Sequence, residues 1–324
     1  MRIDFLNVGY GEAIVIRDGS FCMVVDGGSD KEYIYQTPSA IMLFDFLKES
    51  GIQKIDRMVL THIHDDHVGG LVRVMEEIPV GELWVNILPE IPTSDVLQEK
   101  QKILEGSSAE RLYFEAILLY FRLLEAAEKK GVRVRPISQE DGSEDQDGLI
   151  ITPIGMNREE ARRATAEFNT MIRETEETEF LKQYLRQDRE CNTTSLALHI
   201  RKDGKGALLT GDKVEGWEEL AGRLDLRAQV LKLTHHGQMD GMPEAMLQAA
   251  DPDIFVICAD ENRTYNSAAP EVLERITTYL EKKEKPLQVF ITGDMEKSTG
   301  DSGRKPGSVL TIDFSVDPIQ PTIN

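Results

Sequence analysis

Three of the chain's six histidines and two aspartates fall within six residues, His62-Ile63-His64-Asp65-Asp66-His67. Neutral imidazole and carboxylate are the ligands that Zn²⁺ and related divalent cations take. The cluster ends the apolar run Ile55-Asp56-Arg57-Met58-Val59-Leu60-Thr61, which predicts a strand. Alternate side chains of an extended segment share a face, so His62 and His64 point the same way. A turn after them lets Asp66 and His67 face the same cavity from the other side. The spacing therefore suits two adjacent cations, one held by His62 and His64, the other by Asp66 and His67.

A two-metal site needs further ligands from elsewhere in the fold. Leu208-Leu209-Thr210-Gly211-Asp212 is an apolar strand ending in Gly-Asp, and an aspartate at such a tip can bridge two cations. Leu231-Lys232-Leu233-Thr234-His235-His236-Gly237 repeats the design with a histidine pair. Convergence of strand tips at one sheet edge builds sites of this kind. His199 sits inside an expected strand and reads as structural. Asp294 reads as a turn residue and Lys213 as an exposed one.

These tips must be positioned by regular elements. Short apolar runs bounded by glycines predict strands over 2–8, 13–17 and 21–26, and a helical stripe covers 38–50. A helix opening at Gly69-Gly70 runs to Glu77, and a strand covers 82–87. Residues 94–105, 109–130 and 157–187 read as helices, the second with a stripe of Leu112, Phe114, Leu118, Phe121 and Leu124. Strands return at 195–201, 207–210, 229–234, 254–259, 287–292 and 309–314, with helices at 216–223, 243–249 and 270–282. The expected architecture is α+β: two packed mixed sheets flanked by helices, in one domain over 1–324. The segment 94–190 is expected to be a mainly helical insertion, with a lid over the site as its functional reading.

Composition bounds the rest. With 37 basic and 57 acidic residues the net charge is −20, which repels long nucleic acid but not a small anion drawn to bound cations. No apolar run approaches the roughly 20 residues that span a bilayer. The start does not read as a signal peptide, so a cytoplasmic location and no membrane partner are expected. Cys22, Cys191 and Cys258 are too few and too scattered for a disulfide framework.

Asp26-Gly27-Gly28, the 62–67 cluster, Thr210-Gly211-Asp212 and His235-His236-Gly237 come in the order and rough spacing of the metallo-beta-lactamase superfamily, which the chain resembles outside its helical middle. More closely it resembles the hydrolase domain of bacterial DNA-uptake competence channels and their soluble relatives. The residues that carry this are Val8-Gly9-Tyr10-Gly11-Glu12-Ala13, Ser195-Leu196 and the His-His-Gly turn. The resemblance implies an αββα sandwich and a hydrolytic, usually dinuclear metal centre, with Asp26 supporting the site rather than binding metal. The chain departs from the superfamily in having Asn192 where a ligand histidine is usual. It also has Gln238 where relatives have serine, and Ala269 where they often have histidine.

The expected metal ligands are His62, His64, Asp66, His67, Asp212 and His235, with His236 either replacing His235 or donating a proton nearby. Asp66 and His236 are the expected catalytic residues, and Asp26, Asp65 and Asn192 the supporting ones. Asp65 either orients a ligand imidazole or is a solvated turn carboxylate. The cofactors expected are two divalent cations, Zn²⁺ first, with Mn or Fe also compatible. A metal-bound hydroxide would then attack a small anionic substrate, a nucleotide or other phosphate ester, in a phosphodiesterase reaction. Nuclease or thioester hydrolase activity and a non-catalytic metal-binding module are the alternatives.

Overall fold

Apolar residues alternate between two faces along the central strands, and that alternation dictates three layers of packing. The computed structural model describes residues 1–37, 39–104, 108–294 and 308–324. Pro38 and Glu105, the expected ends of two helices, lie outside the described residues. The first sheet contains β1 (Arg2–Leu6), β2 (Ile14–Asp18), β3 (Phe21–Val25), β4 (Ile55–Leu60), β5 (Val80–Val85), β6 (Arg133–Pro136), β14 (Val309–Asp313) and β15 (Gln320–Ile323). Its order is β15-β14-β1-β2-β3-β4-β5-β6, parallel from β3 to β6 and antiparallel elsewhere. The second contains β7 (Glu144–Gln146), β8 (Leu149–Ile154), β9 (Ala197–Lys202), β10 (Lys205–Leu209), β11 (Val230–Lys232), β12 (Ile254–Ile257) and β13 (Val289–Ile291). Its order is β13-β12-β11-β10-β9-β8-β7, parallel from β10 to β13.

Met23, Val25 and Val59 of the first sheet meet Leu198, Leu209, Val230 and Val256 of the second in the central core. Their sequence neighbours Val24, Met58 and Leu60 face the other way, onto α1 (Leu43–Glu49), α2 (Asp65–Glu77) and α4 (Ser108–Lys129). On the far side Leu208, Leu231, Phe255 and Ile257 pack under α7 (Trp217–Arg223), α8 (Glu244–Ala250) and α9 (Pro270–Lys282). Strand period 2 on both sheets thus produces helix–sheet–sheet–helix layering. Among the described residues no helix is long and apolar enough to cross a membrane.

Several expectations change. Helix α2 begins at Asp65, four residues before the glycine pair, so Asp66 and His67 lie in its first turn. Gly69 and Gly70 instead let α2 press on the 27–30 loop: a Cβ at Gly70 would come within 2.0 Å of the Gly27 carbonyl oxygen. The helix expected over 157–187 is two, α5 (Arg158–Arg173) and α6 (Glu177–Glu190). Asn157 caps the first by accepting from Glu160 N–H, and Glu176 caps the second by accepting from the backbone of Thr178 and Glu179.

The segment 94–190 also holds α3 (Ser94–Leu104), and its strands β6, β7 and β8 belong to the sheets themselves. Along α4 the buried stripe is Phe114, Ile117, Phe121 and Leu124, while Leu112 is exposed.

Candidate metal centre

Five strand tips converge at one edge of the sandwich. Asp26 follows β3, Thr61 and His62 follow β4, Asp212 follows β10, the 235–237 turn follows β11, and Cys258 follows β12. Each strand is anchored in buried apolar surface, so the polar residue just beyond it has little freedom to move.

Asp26, fully buried with φ 56°, ties the first half of the site together. Its Oδ1 accepts from Thr61 N–H (2.8 Å) and its Oδ2 from the Thr61 hydroxyl (2.7 Å) and from His67 Nδ1 (2.7 Å). His236 Nδ1 donates to the Cys258 carbonyl (2.7 Å), and His62 Nδ1 faces Thr61 Oγ1 at 3.1 Å. With each Nδ1 proton committed in this way, the neutral tautomer leaves the Nε2 lone pair facing inward.

Those lone pairs meet one another and two carboxylates. His67 Nε2 and His236 Nε2 are 3.4 Å apart. Asp212 Oδ2 lies 3.3 Å from His236 Nε2, 3.5 Å from His67 Nε2 and 3.9 Å from His62 Nε2. Asp66 Oδ2 lies 3.1 Å from His236 Nε2 and 3.5 Å from His67 Nε2. His64 Nδ1 comes within 3.0 Å of His62 Nε2, while its Nε2 faces Asp188 at 3.5 Å. Electron-rich atoms gathered in a buried space repel one another unless positive charge sits among them. His62, His67 and Asp212, and likewise Asp66, His67 and His236, bring their ligand atoms within 4.8 Å of each other. This donor set fits divalent cations.

The protonation equilibria express the same demand. Burial pulls the His236 imidazole down, but Asp212 and Asp66 outweigh it and push its pKa up to about 9. Burial likewise opposes charge on His67, and Asp66, Asp212 and Asp26 raise it well above the usual histidine range. Burial, with His67 and His64 nearby, drives His62 well below that range. For Asp212 burial favours the neutral acid, yet His236 and His67 hold it well below the usual carboxylate range. Without cations, protons on two imidazoles supply the missing charge.

The structure brings His62, Asp66, His67, Asp212 and His236 together, with His64 at their margin. His235 lies outside this group. Its Nδ1 is 2.9 Å from Asp240 Oδ1 and its Nε2 is 3.1 Å from Asn192 Nδ2. Asn192 Oδ1 is buried without a hydrogen-bond partner. Asp65 pairs with Lys31 Nζ, 2.8 Å off. Cys191 packs with its thiol 3.4 Å from the Ile63 carbonyl. His199 bonds the Arg227 carbonyl, Asp294 meets Arg263, and Lys213 is buried rather than exposed, its Nζ 3.4 Å from the Thr193 carbonyl.

Sequence reasoning missed three contributors. Lys232, fully buried, pairs with Glu12 and reaches within 3.8 Å of Asp212 Oδ1. A lysine inside an apolar strand was the available signal. The Tyr10 ring packs against His236 at a tilt, with ring centroids 4.9 Å apart, and Asp188 approaches His64 from α6. Tyr10 sits within the Val8–Ala13 motif, which was its available signal, whereas Asp188 has no local sequence signature.

Residues 6–155 match the family model of the metallo-beta-lactamase superfamily. ComE operon protein 3 of Bacillus subtilis (strain 168) is 21% identical over 287 residues, a match covering 84% of this chain and 30% of that protein. The chain therefore spans less than a third of that relative's length. Solved structures with similar folds include Igni18, a metallo hydrolase from the archaeon Ignicoccus hospitalis. It has a TM-score of 0.49 and 16% identity, covering 97% of this chain and 100% of that one. Zn²⁺-bound PqqB from Methylobacterium extorquens has a TM-score of 0.48 and 12% identity, with the same coverage. The human short-form tRNase Z has a TM-score of 0.45 and 12% identity, covering 91% and 97%. Over residues 6–155, then, this chain is similar to the metallo-beta-lactamase superfamily, and its two facing mixed sheets with helices outside are the α+β architecture expected of that fold.

Proposed function

We propose that this protein is a metal-dependent hydrolase that cleaves phosphate diesters of small nucleotides or related esters. The observation that carries the reading is Asp212 Oδ2, shared among the Nε2 atoms of His62, His67 and His236 at 3.3–3.9 Å. A carboxylate so placed can serve two cations at once. His62, His64 and Asp212 would hold one cation, and Asp66, His67, His236 and Asp212 the other. Divalent cations bound there supply an acidified water and an electrophile for a phosphoryl oxygen.

The chain's own residues do the rest. Asp26 and the Cys258 carbonyl fix the orientation of His67 and His236 through their Nδ1 protons. That commitment makes His236 a ligand rather than a proton donor. Asp66 and Asp212 balance the charge and offer free oxygens to orient the incoming water. The buried walls exclude bulk solvent from these groups. An aspartate at the shared position, with no sulfur among the clustered atoms, favours phosphate diesters over lactams.

The test is a panel of bis-p-nitrophenyl phosphate, a thioester and a lactam with Zn²⁺, Mn²⁺ or Mg²⁺. Diester turnover with about two cations per chain, lost in Asp66→Ala and Asp212→Ala while both stay folded, is the expected result. Unchanged rates in those variants would exclude this mechanism. A single cation with no turnover on any probe would instead favour a metal-binding interaction module.

A further inference from the structure

A cavity of about 320 Å³ opens beside the His/Asp cluster, within the size range of small-molecule sites. Its lining includes Tyr10, Tyr33, Tyr265, Asp260 and Asn262. Tyr10 links it to the cluster, since its ring lies 4.9 Å from His236 on one side and 5.0 Å, edge-on, from Tyr265 on the other. Aromatic surface thus runs from the candidate metal centre to the solvent.

Two of these rings are held out rather than packed in. Tyr265 is 62% exposed and Tyr33 is 65% exposed. Large aromatics left open at the mouth of a cavity mark a binding face more than a structural one. The loop that presents Tyr265 is strained. Arg263, Tyr265, Asn266 and Ala268 all have left-handed backbone, with φ of 56°, 55°, 59° and 47°. Side chains other than glycine adopt that region only when surroundings force it, and such residues gather at functional sites.

The forcing contacts are visible. Ala268 N–H donates to the His236 carbonyl (2.8 Å) and Ala269 N–H to that of Gly237 (2.9 Å). Thr264 donates through its N–H and hydroxyl to Asp260, and Arg263 reaches Asp294 at 3.0 Å. The loop carrying Tyr265 is therefore stitched directly to the turn carrying His236, which fixes the distance between aromatic face and cluster.

We infer that this cavity holds the nucleobase of a nucleotide whose phosphate lies at the His/Asp cluster. The inference rests on the hydrolase reading above and names its substrate class. Every base offers a flat face to Tyr265 and Tyr33, and stacking of this kind contributes strongly to affinity. Asp260 and Asn262 line the same cavity, so a carboxylate (already accepting from Thr264) and an amide border the space that a base edge would occupy. The net charge of −20 does not oppose this, because the base is neutral and the phosphate meets the cations.

The test uses the metal-loaded protein and two ligands that share a sugar phosphate, adenosine monophosphate and ribose 5-phosphate, compared by calorimetry. The expected result is at least about tenfold tighter binding of the nucleotide, with most of that gap lost in Tyr265→Ala and kept in Tyr265→Phe. Equal affinities in the wild type, or a gap that survives Tyr265→Ala, would overturn the inference. Rates on thymidine 5′-(p-nitrophenyl phosphate) and methyl p-nitrophenyl phosphate separate the two readings. Hydrolysis of both without a binding gap sinks the cavity assignment alone. A gap without hydrolysis of either keeps the cavity and sinks the hydrolase reading.

Discussion

Lys232 Nζ lies against the Glu12 carboxylate, both side chains fully buried, and 3.8 Å from Asp212 Oδ1. The ammonium also donates to the Gly211 carbonyl at 2.9 Å, so it grips the backbone just before Asp212. Burial works against its charge, yet Glu12 and Asp212 outweigh burial and hold its pKa above the ordinary lysine range. Removing one partner strands the other. Lys232→Met is therefore expected to destabilise the fold by about 3–5 kcal/mol in urea unfolding. Lys232→Met combined with Glu12→Gln is expected to cost less than the single change. A double variant as unstable as the sum of the singles would show that the two groups do not act as a pair.

His235 and His236 are adjacent in sequence and differ in surroundings. Metal content by mass spectrometry should fall by about one cation per chain in His236→Ala, whose Nε2 faces Asp66 and Asp212. His235→Ala should keep the wild-type content, because His235 bonds Asp240 and Asn192 outside the cluster. The reverse pattern would return the ligand role to His235.

Asp26 touches the site through its neighbours. Asp26→Asn keeps the shape of the side chain but removes the charge behind His67 Nδ1 and one of the acceptors used by Thr61. Partners of this kind typically change metal affinity by about 10- to 100-fold. Competition with a chelator should show a loss of that size while circular dichroism stays native.

Gly70 tests the close approach of α2 to the 27–30 loop. A methyl group there meets the Gly27 carbonyl, which is backbone and cannot swing aside. Gly70→Ala is expected to lower stability and to weaken metal binding together, since α2 carries Asp66 and His67. Gly222→Ala, at an α7 position with open space around it, is the control that should do neither.

His199 offers a pH prediction away from the metal centre. Burial lowers its pKa to about 4, and its Nε2 meets the Arg227 carbonyl at 2.9 Å. In the unfolded chain the group titrates near about 6.5. Between those values the unfolded state binds more protons, so stability falls as pH drops from about 6.5 to about 4, by at most roughly 3 kcal/mol. Above that window the contribution is constant. His199→Gln should flatten this part of the stability–pH curve, and an unaltered slope would assign it to other groups.

The layered architecture was legible because strand alternation is local. Val24 and Met58 face one way and Met23, Val25 and Val59 the other, and this follows from their order alone. The ligand candidates were legible for a similar reason: His62 through His67 and Asp212 each follow an apolar run whose end fixes where they emerge. What failed was also local in origin. The start of α2 was misplaced because Gly69-Gly70 resembles a helix opening, whereas its purpose is contact with a loop about forty residues earlier, visible only in three dimensions. Strands β6 and β8 do not stand out in the mainly helical reading of 94–190 because their places are set by pairing with β5 and β9, elements distant in the chain.

By itself the sequence determined which side chains can bind cations and that they sit at strand ends, because residue chemistry and strand period are properties of the chain. Only the tertiary structure decided that His236 rather than His235 faces Asp66 and Asp212, that Lys232 stands behind them, and that Tyr10 and Tyr265 open a cavity beside them. Those choices turn on left-handed backbone at His235, His236 and Tyr265, imposed by contacts between segments far apart in the chain. No local propensity encodes which way such a turn will aim its side chains.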